Sequence, residues 1–317
     1  MPFLSNLISA KNATYLNMFN CFNCISPSSW PPSRNWRRVR IHKDEKEISQ
    51  SALDAQEHFR LLIPYAQTRT YSAGPYGNFF ALCWPKARIE KIIETLWMYD
   101  DITETTPHEK ASQEHANICD ALAGMSEQLN RRWTSNLNMT QIDQNGASNV
   151  VESLKSYLNT YDSRNTPFIT VREYLDYRIL NVGFGIMESF MQWTQDLHLD
   201  DEEIELTRDF YLACGCVMAL TNDLYSWDVE RLSPGERCWN AVTVIMKQYS
   251  LGEEDAVVLL QGLIVCREQE TWKLASELLK NSGLSRNMLK YVDAMKLMLG
   301  GNCFWSSTCP RYNKGTQ

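Results

Sequence analysis

Proline is spaced so widely in this chain that long helices are open to it along most of its length. None falls between Pro107 and Pro167, between Pro167 and Pro234, or between Pro234 and Pro310. Proline inside a helix removes a hydrogen-bond donor and collides with the preceding turn, so these intervals suit helices. Short β-branched runs with regularly spaced Gly/Asn turns are missing, which excludes an all-β fold. Residues 1–36 stand apart. Their Asn, Ser and Pro content, as in "NCISPSSWPPSRNW", reads as an irregular or partly disordered arm. Helical patterning begins near Val39, so a single all-α domain is expected over 37–317. Within it "NMTQIDQNGASNV" (138–150) reads as a loop.

With 317 residues and 44% apolar content the chain can bury a sizeable core. Its net charge of -7 argues against nucleic acid as a partner. No apolar run approaches the roughly 18 residues of a membrane span. There are ten cysteines. Cys21 and Cys24 form a CxxC without a second pair to complete a zinc site. The others lie in apolar helical patterns, as reduced cysteines do, which points to a reducing, cytoplasmic location. The N-terminus lacks the compact apolar run of a secretory signal. An organelle-targeting reading stays open, because the first acidic residue is Asp44. None of the five histidines forms an HD pair, so a metal phosphohydrolase of that kind has no support. His42 and His58 are expected near helix starts or surfaces.

Three helical stretches carry the chemistry. From about Pro85 to Asp101 the stripe Ile89, Ile92, Ile93, Leu96 has helical spacing, and Asp100 continues it. A second helix starts near Thr170, where "TVRE" forms a capping box and Arg178 and Asn181 share a face. Gly183 and Gly185 weaken its interior. A third runs from about Glu203 to Glu230. Tyr211, Cys214 and Met218 lead at helical spacing to Asn222, and Asn222, Ser226 and Glu230 then follow four residues apart. Residues so spaced lie on one helix face, about 6 Å apart along the axis. An amide, a hydroxyl and a carboxylate projecting together suit Mg²⁺, a hard ion that takes oxygen ligands and keeps room for water and phosphate. Alone, the triplet is equally compatible with capping and solvation. "DDITE" (100–104) sets a second oxygen-rich cluster at the end of another apolar stripe. A buried stripe ending in carboxylates is costly unless they are paired or bound to metal.

"DDITE" followed by "NDLYSWDVE" (222–230) resembles the aspartate-rich and NSE motifs of class I terpene synthases. "VRIHK" (39–43), "GPYGNFFALCWP" (74–85), "RCWN" (237–240) and "WSSTCPRY" (305–312) are similar to stretches of the N-terminal cyclase half of fungal bifunctional terpene synthases. The resemblance covers about residue 39 to the end. It implies a single helical bundle around a deep apolar cavity, with both metal motifs at its mouth, and an enzyme that ionises a linear prenyl diphosphate and cyclises the carbocation. It implies three Mg²⁺ ions, held by Asp100, with Asp101 and Glu104 beside it, and by Asn222, Ser226 and Glu230. Arg178 would sense the diphosphate, with Asn181 linking it to a carbonyl near Val182. Arg231, Arg311 and Tyr312 would donate to diphosphate oxygens. Phe79, Phe80, Trp97 and Trp305 are candidates for cation–π stabilisation of the carbocation, although aromatics on an apolar face also serve as plain core. Trp84, Trp193, Trp227 and Trp239 are expected in the core or at the surface.

The expected substrate is geranylgeranyl diphosphate, with geranylfarnesyl diphosphate as the alternative. A prenyltransferase domain or a separate prenyltransferase would supply it, and a homo-oligomer is compatible with the family. A chain-elongating prenyltransferase would need a second aspartate-rich motif in place of NSE, and none is present. The remaining alternative is an inactive helical binding or scaffold protein.

Overall fold

The computed structural model describes residues 41–62, 72–84, 97, 109–110, 112–113, 116–117, 144–160, 167–232, 239–281 and 283–313. These are helical, with no strand among them. The expected arm (1–36) and the carboxylates Asp100, Asp101 and Glu104 lie outside what is described there; His58 falls within the first helix, past its start, and its side chain is outside the description.

Helix α1 (Glu45–Leu62) begins just after His42. The His42 ring is buried, its Nδ1 accepting from the Asp44 amide at 3.0 Å. Helix α2 (Phe79–Cys83) is short and wholly buried. Its cap, Asn78, accepts from the Phe80 amide at 2.9 Å and donates to Ser72 Oγ at 2.7 Å. Helix α3 (Gln144–Thr160) overturns part of the expected loop, because the chain is already helical at Gln144. Asn145 and Gly146 cost little there, since the first-turn amides have no intrahelical partner in any case. Val150, Leu154 and Leu158 recur at four-residue spacing and bury against the body of the protein.

Helices α4 (Val171–Asn181) and α5 (Phe184–Thr194) occupy the stretch expected to be one weakened helix. Thr170 caps α4, accepting from the Glu173 amide at 3.1 Å. The Glu173 carboxylate reaches back to the Ile169 amide at 3.1 Å rather than to Thr170, one residue beyond the expected box. Gly183, at φ 73°, is the break between the two helices. Side chains rarely adopt that left-handed conformation, and glycine does so without cost.

Helix α6 (Asp201–Glu230) is the longest of those described, 30 residues or about 45 Å. Asp200 and Glu203 form a complete capping box, and acidic Asp201, Glu202 and Glu203 complement the positive end of the helix dipole. Its middle, from Ala213 to Thr221, is buried without interruption, because α4, α8 (Glu253–Leu278) and α9 (Arg286–Thr308) all pack on it. Helix α7 (Ala241–Tyr249) follows, capped by Asn240. Where α9 crosses α2, Gly301 leaves no room for a side chain. A Cβ there would stand 2.4 Å from the Leu82 carbonyl oxygen. Trp84, Trp193 and Trp227 are core residues, while Trp239 is half-buried. No helix among the described residues is long and apolar enough to cross a membrane.

Candidate active site

The site forms where the C-terminal ends of α4, α6 and α9 meet. Arg178, in the last turn of α4, is buried, and three side chains take up its guanidinium. Nε and Nη2 each lie 2.9 Å from Asp223 Oδ1. Nη1 donates to Asn181 Oδ1 at 2.6 Å, and Nη2 to Asn222 Oδ1 at 2.7 Å. The spacing Arg178–Asn181 places both on one face of α4. Asn222 in turn donates from Nδ2 to the Tyr312 hydroxyl at 3.0 Å, closing a chain from α4 through α6 to the segment after α9.

Asp223, fully buried, supports this arrangement from behind. Its Oδ2 accepts from the Ala241 amide at 2.9 Å and from the Tyr174 hydroxyl, which also donates to the Trp239 carbonyl at 3.1 Å. Burial pushes the Asp223 carboxyl pKa up, against the pull of Arg178, Tyr174 and Ala241. Burial likewise opposes the charge of Arg178, but Asp223, Tyr174 and Glu230 outweigh it and hold the guanidinium cationic. Tyr312 is pushed up to about 12, chiefly by burial, so it stays a neutral hydroxyl. Asn240 adds a further tie, donating to the Asp223 carbonyl and to Glu230 Oε2, both at 2.8 Å.

The oxygens of the α6 ladder fit a hard divalent ion. Ser226 Oγ is buried and finds no hydrogen-bond partner among the described residues. Such a hydroxyl is costly to bury unless something accepts its lone pairs. It lies between Asn222, whose amide oxygen keeps a second lone pair beside Arg178, and Glu230, whose second carboxylate oxygen is not engaged by Asn240. No three His, Cys, Asp or Glu side chains converge among the described residues. The donor set there is therefore mixed, as oxygen-loving Mg²⁺ tolerates.

The four candidate aromatics come together. Phe79 lies 4.9 Å from Trp97 and 5.0 Å from Trp305 between ring centroids, Trp97 lies 5.4 Å from Trp305, and Phe80 5.5 Å from Trp97. Trp305 donates to the Ser72 carbonyl at 2.9 Å and meets the Tyr312 ring edge-on at 5.7 Å, which joins this cluster to the polar chain. Val182 caps α4 and is half-buried. Arg311 stacks near the Tyr312 ring at 5.9 Å. Arg231 is not brought to Arg178: it is exposed and turns to Asp228 at 3.0 Å and Glu253 at 3.8 Å.

Sequence reasoning gave no role to Asp223, Tyr174 or Asn240. The signal was present for two of them. Asp223 is a carboxylate in the middle of a buried stretch, and Tyr174 stands one turn before Arg178.

The family model for terpene synthase family 2, C-terminal metal binding, matches residues 91–270. Among similar proteins, fusicoccadiene synthase of Phomopsis amygdali is 27% identical over 303 residues, 87% of this chain and 42% of that protein. Bifunctional sesterterpene synthase astC of Talaromyces wortmannii is 25% identical over 303 residues, 87% of this chain and 40% of that protein. The chain thus spans about two fifths of the length of these relatives. Among solved structures, aristolochene synthase from Penicillium roqueforti superposes with a TM-score of 0.70 at 20% identity, over 88% of this chain and 100% of that one. The all-α bundle is therefore the class I terpene synthase fold. With its metal-binding family model extending over more than half of its length, the chain belongs to the terpene synthase family.

Proposed function

We propose that this chain is a Mg²⁺-dependent terpene cyclase that ionises a linear prenyl diphosphate, cyclises the carbocation to a polycyclic hydrocarbon and releases diphosphate. The observation that carries the reading is the buried Arg178, held in one hydrogen-bonded chain with Asn181, Asn222 and Tyr312. Nε and Nη2 are taken up by Asp223 and Asn222, and the N–H of Nη1 that Asn181 does not use is left to donate to a diphosphate oxygen. Tyr312 and Arg311 supply further donors, and Arg231 would have to swing from Asp228 to join them.

Asn222, Ser226 and Glu230 would hold Mg²⁺ on one side, and Asp100, with Asp101 and Glu104, on the other, for three ions in all. Bound Mg²⁺ stabilises the charge that develops on a leaving diphosphate. Arg178 would pass the presence of diphosphate through Asn181 to the end of α4. There the chain breaks at Gly183, next to the Val182 carbonyl. Phe79, Phe80, Trp97 and Trp305 would exclude water and face the cation, at about 2 kcal/mol for each desolvated ring in contact.

Geranylgeranyl diphosphate is the substrate we favour, giving a diterpene. Geranylfarnesyl diphosphate is the second reading, supported by relatives named as sesterterpene synthases. A prenyltransferase, in the same chain or separate, would provide either one, and one relative is named as bifunctional. The cysteines at 83, 214, 303 and 309 are free and buried, which suits a reducing cytoplasm. The test is gas chromatography–mass spectrometry of products from farnesyl, geranylgeranyl and geranylfarnesyl diphosphates, each with and without Mg²⁺. A cyclic hydrocarbon that appears only with Mg²⁺ and vanishes in Asn222→Ala supports the reading. Full turnover in Asn222→Ala removes the metal assignment, and no hydrocarbon from any substrate favours a scaffold role.

A further inference from the structure

We propose that Glu188 accepts the proton that ends the carbocation cascade, at the end of the bundle remote from Arg178. The proposal rests on the cyclase reading above. Three helices carry it. On α6, Tyr211 precedes Asn222 by eleven residues, about 16 Å along the axis and about 20° around it, so both belong to one stripe. On α9, Tyr291 precedes Trp305 by fourteen residues, about 21 Å, with Met298 and Asn302 between them on the same stripe. On α5, Glu188 lies ten residues beyond Arg178. At the far end of these stripes the polar groups meet. Gln192 and Tyr291 hydrogen-bond the Glu188 carboxyl, and Tyr211 feels its charge. Tyr211 is seated against α5 by the Phe184 ring at 4.9 Å, and its hydroxyl would be 3.5 Å from a Cβ at Gly185.

Glu188, Gly185 and Tyr211 keep part of their surface accessible, while Phe184, Met187, Met191, Cys214, Tyr291 and Met295 around them are buried. In the cyclase reading, the hydrocarbon of the substrate would lie against this reachable carboxyl. No metal or diphosphate group of the site explains it. A carboxyl deep among apolar side chains is costly, and the hydrogen bonds from Gln192 and Tyr291 offset only part of that cost.

The step balances simply. A C–H bond next to the cationic carbon breaks, its electron pair becomes the product's C=C bond, and the proton passes to a Glu188 carboxylate oxygen. The carboxyl returns that proton to water before the next turnover. Burial pushes its pKa up to about 7, against the hydrogen bonds from Gln192 and Tyr291, so it is a competent acceptor near neutral pH. Burial raises Tyr211, Tyr291 and Cys214 around it, leaving them protonated. From α3, Ser153 meets Ser189 at 2.5 Å, and Glu152 and Lys155 pair with each other at 2.8 Å.

The experiment uses the full chain with Mg²⁺ and whichever prenyl diphosphate the wild type converts, following diphosphate release and hydrocarbon profile together. Glu188→Gln is expected to lower the parent hydrocarbon at least tenfold relative to total product, with alcohols or earlier-deprotonated olefins replacing it. Diphosphate release should fall less than the parent hydrocarbon. In the wild type the parent fraction should rise with pH through about 7, and in the variant it should be flat. Tyr291→Phe, which removes one hydrogen bond from the carboxyl, should move that pH midpoint upward and serves where Glu188→Gln does not fold. The parent hydrocarbon in wild-type proportion from Glu188→Gln, or an unmoved midpoint in Tyr291→Phe, overturns the proposal alone. A wild type inert toward every prenyl diphosphate overturns the cyclase reading as well.

Discussion

Replacing Glu188 by Gln should make the pH dependence of stability visible without any substrate. In the unfolded chain the carboxyl titrates near its ordinary 4.5, and in the folded protein near 7. Between those values the folded state binds more protons than the unfolded state, so stability falls as pH rises. The contribution is fully present below about 4.5 and is lost once pH has passed about 7. At about 1.4 kcal/mol per tenfold change in proton affinity, the full gap corresponds to about 3.5 kcal/mol. Gln has the same shape and does not titrate. The stability difference between variant and wild type should therefore shift in favour of Gln by up to about 3 kcal/mol between pH 4.5 and pH 8. Urea unfolding followed by far-ultraviolet circular dichroism at both values measures it, since the midpoint change times the slope gives the free energy. A difference that stays constant to within about 0.5 kcal/mol would mean that the Glu188 carboxyl is solvated in the folded state. That result would remove the physical basis for a buried proton acceptor.

Ser226→Ala should leave stability unchanged or slightly raised, because the hydroxyl has no partner among the described residues to lose. The Mg²⁺ concentration needed for half-maximal turnover should rise at least tenfold, and an unchanged requirement would take Ser226 out of the metal site. Asp223→Asn should cost about 3–5 kcal/mol in urea unfolding, since it leaves the buried Arg178 guanidinium without its countercharge. A loss below about 1 kcal/mol would show that Asn181 and Asn222 alone hold that arginine. Gly301→Ala should cost about 1–3 kcal/mol, because a Cβ 2.4 Å from the Leu82 carbonyl forces α2 and α9 apart. Thermal unfolding reads that loss, and an unaltered midpoint would contradict the crossing described here.

What could be read without coordinates divides along a physical line. Patterns that repeat along one helix were legible. The Asn222, Ser226, Glu230 ladder and the Arg178, Asn181 pair each follow from 3.6 residues per turn, and the structure places both pairs of ends together through Arg178 and Asn222. Helix ends were legible to within a residue or two where caps announce them. Thr170 is one, although its reciprocal bond moved to Ile169. The start of α3 was not, because Asn and Gly read as turn formers whether or not the following turns supply buried Val150, Leu154 and Leu158. Contacts between helices were the least legible. Asp223 looks like a mere neighbour of Asn222, yet it points about 100° away, toward α4 and the start of α7, and there it holds the arginine from behind. Glu188, Tyr211 and Tyr291 are separated by 23 and 80 residues, and no periodicity within one helix relates them. They meet beyond the break at Gly183, where α5 starts as a separate helix after α4. The same glycine that looked like a weakness in one helix thus separates two tasks. The helix before it carries Arg178, for which we propose diphosphate, and the helix after it carries Glu188, for which we propose the final proton.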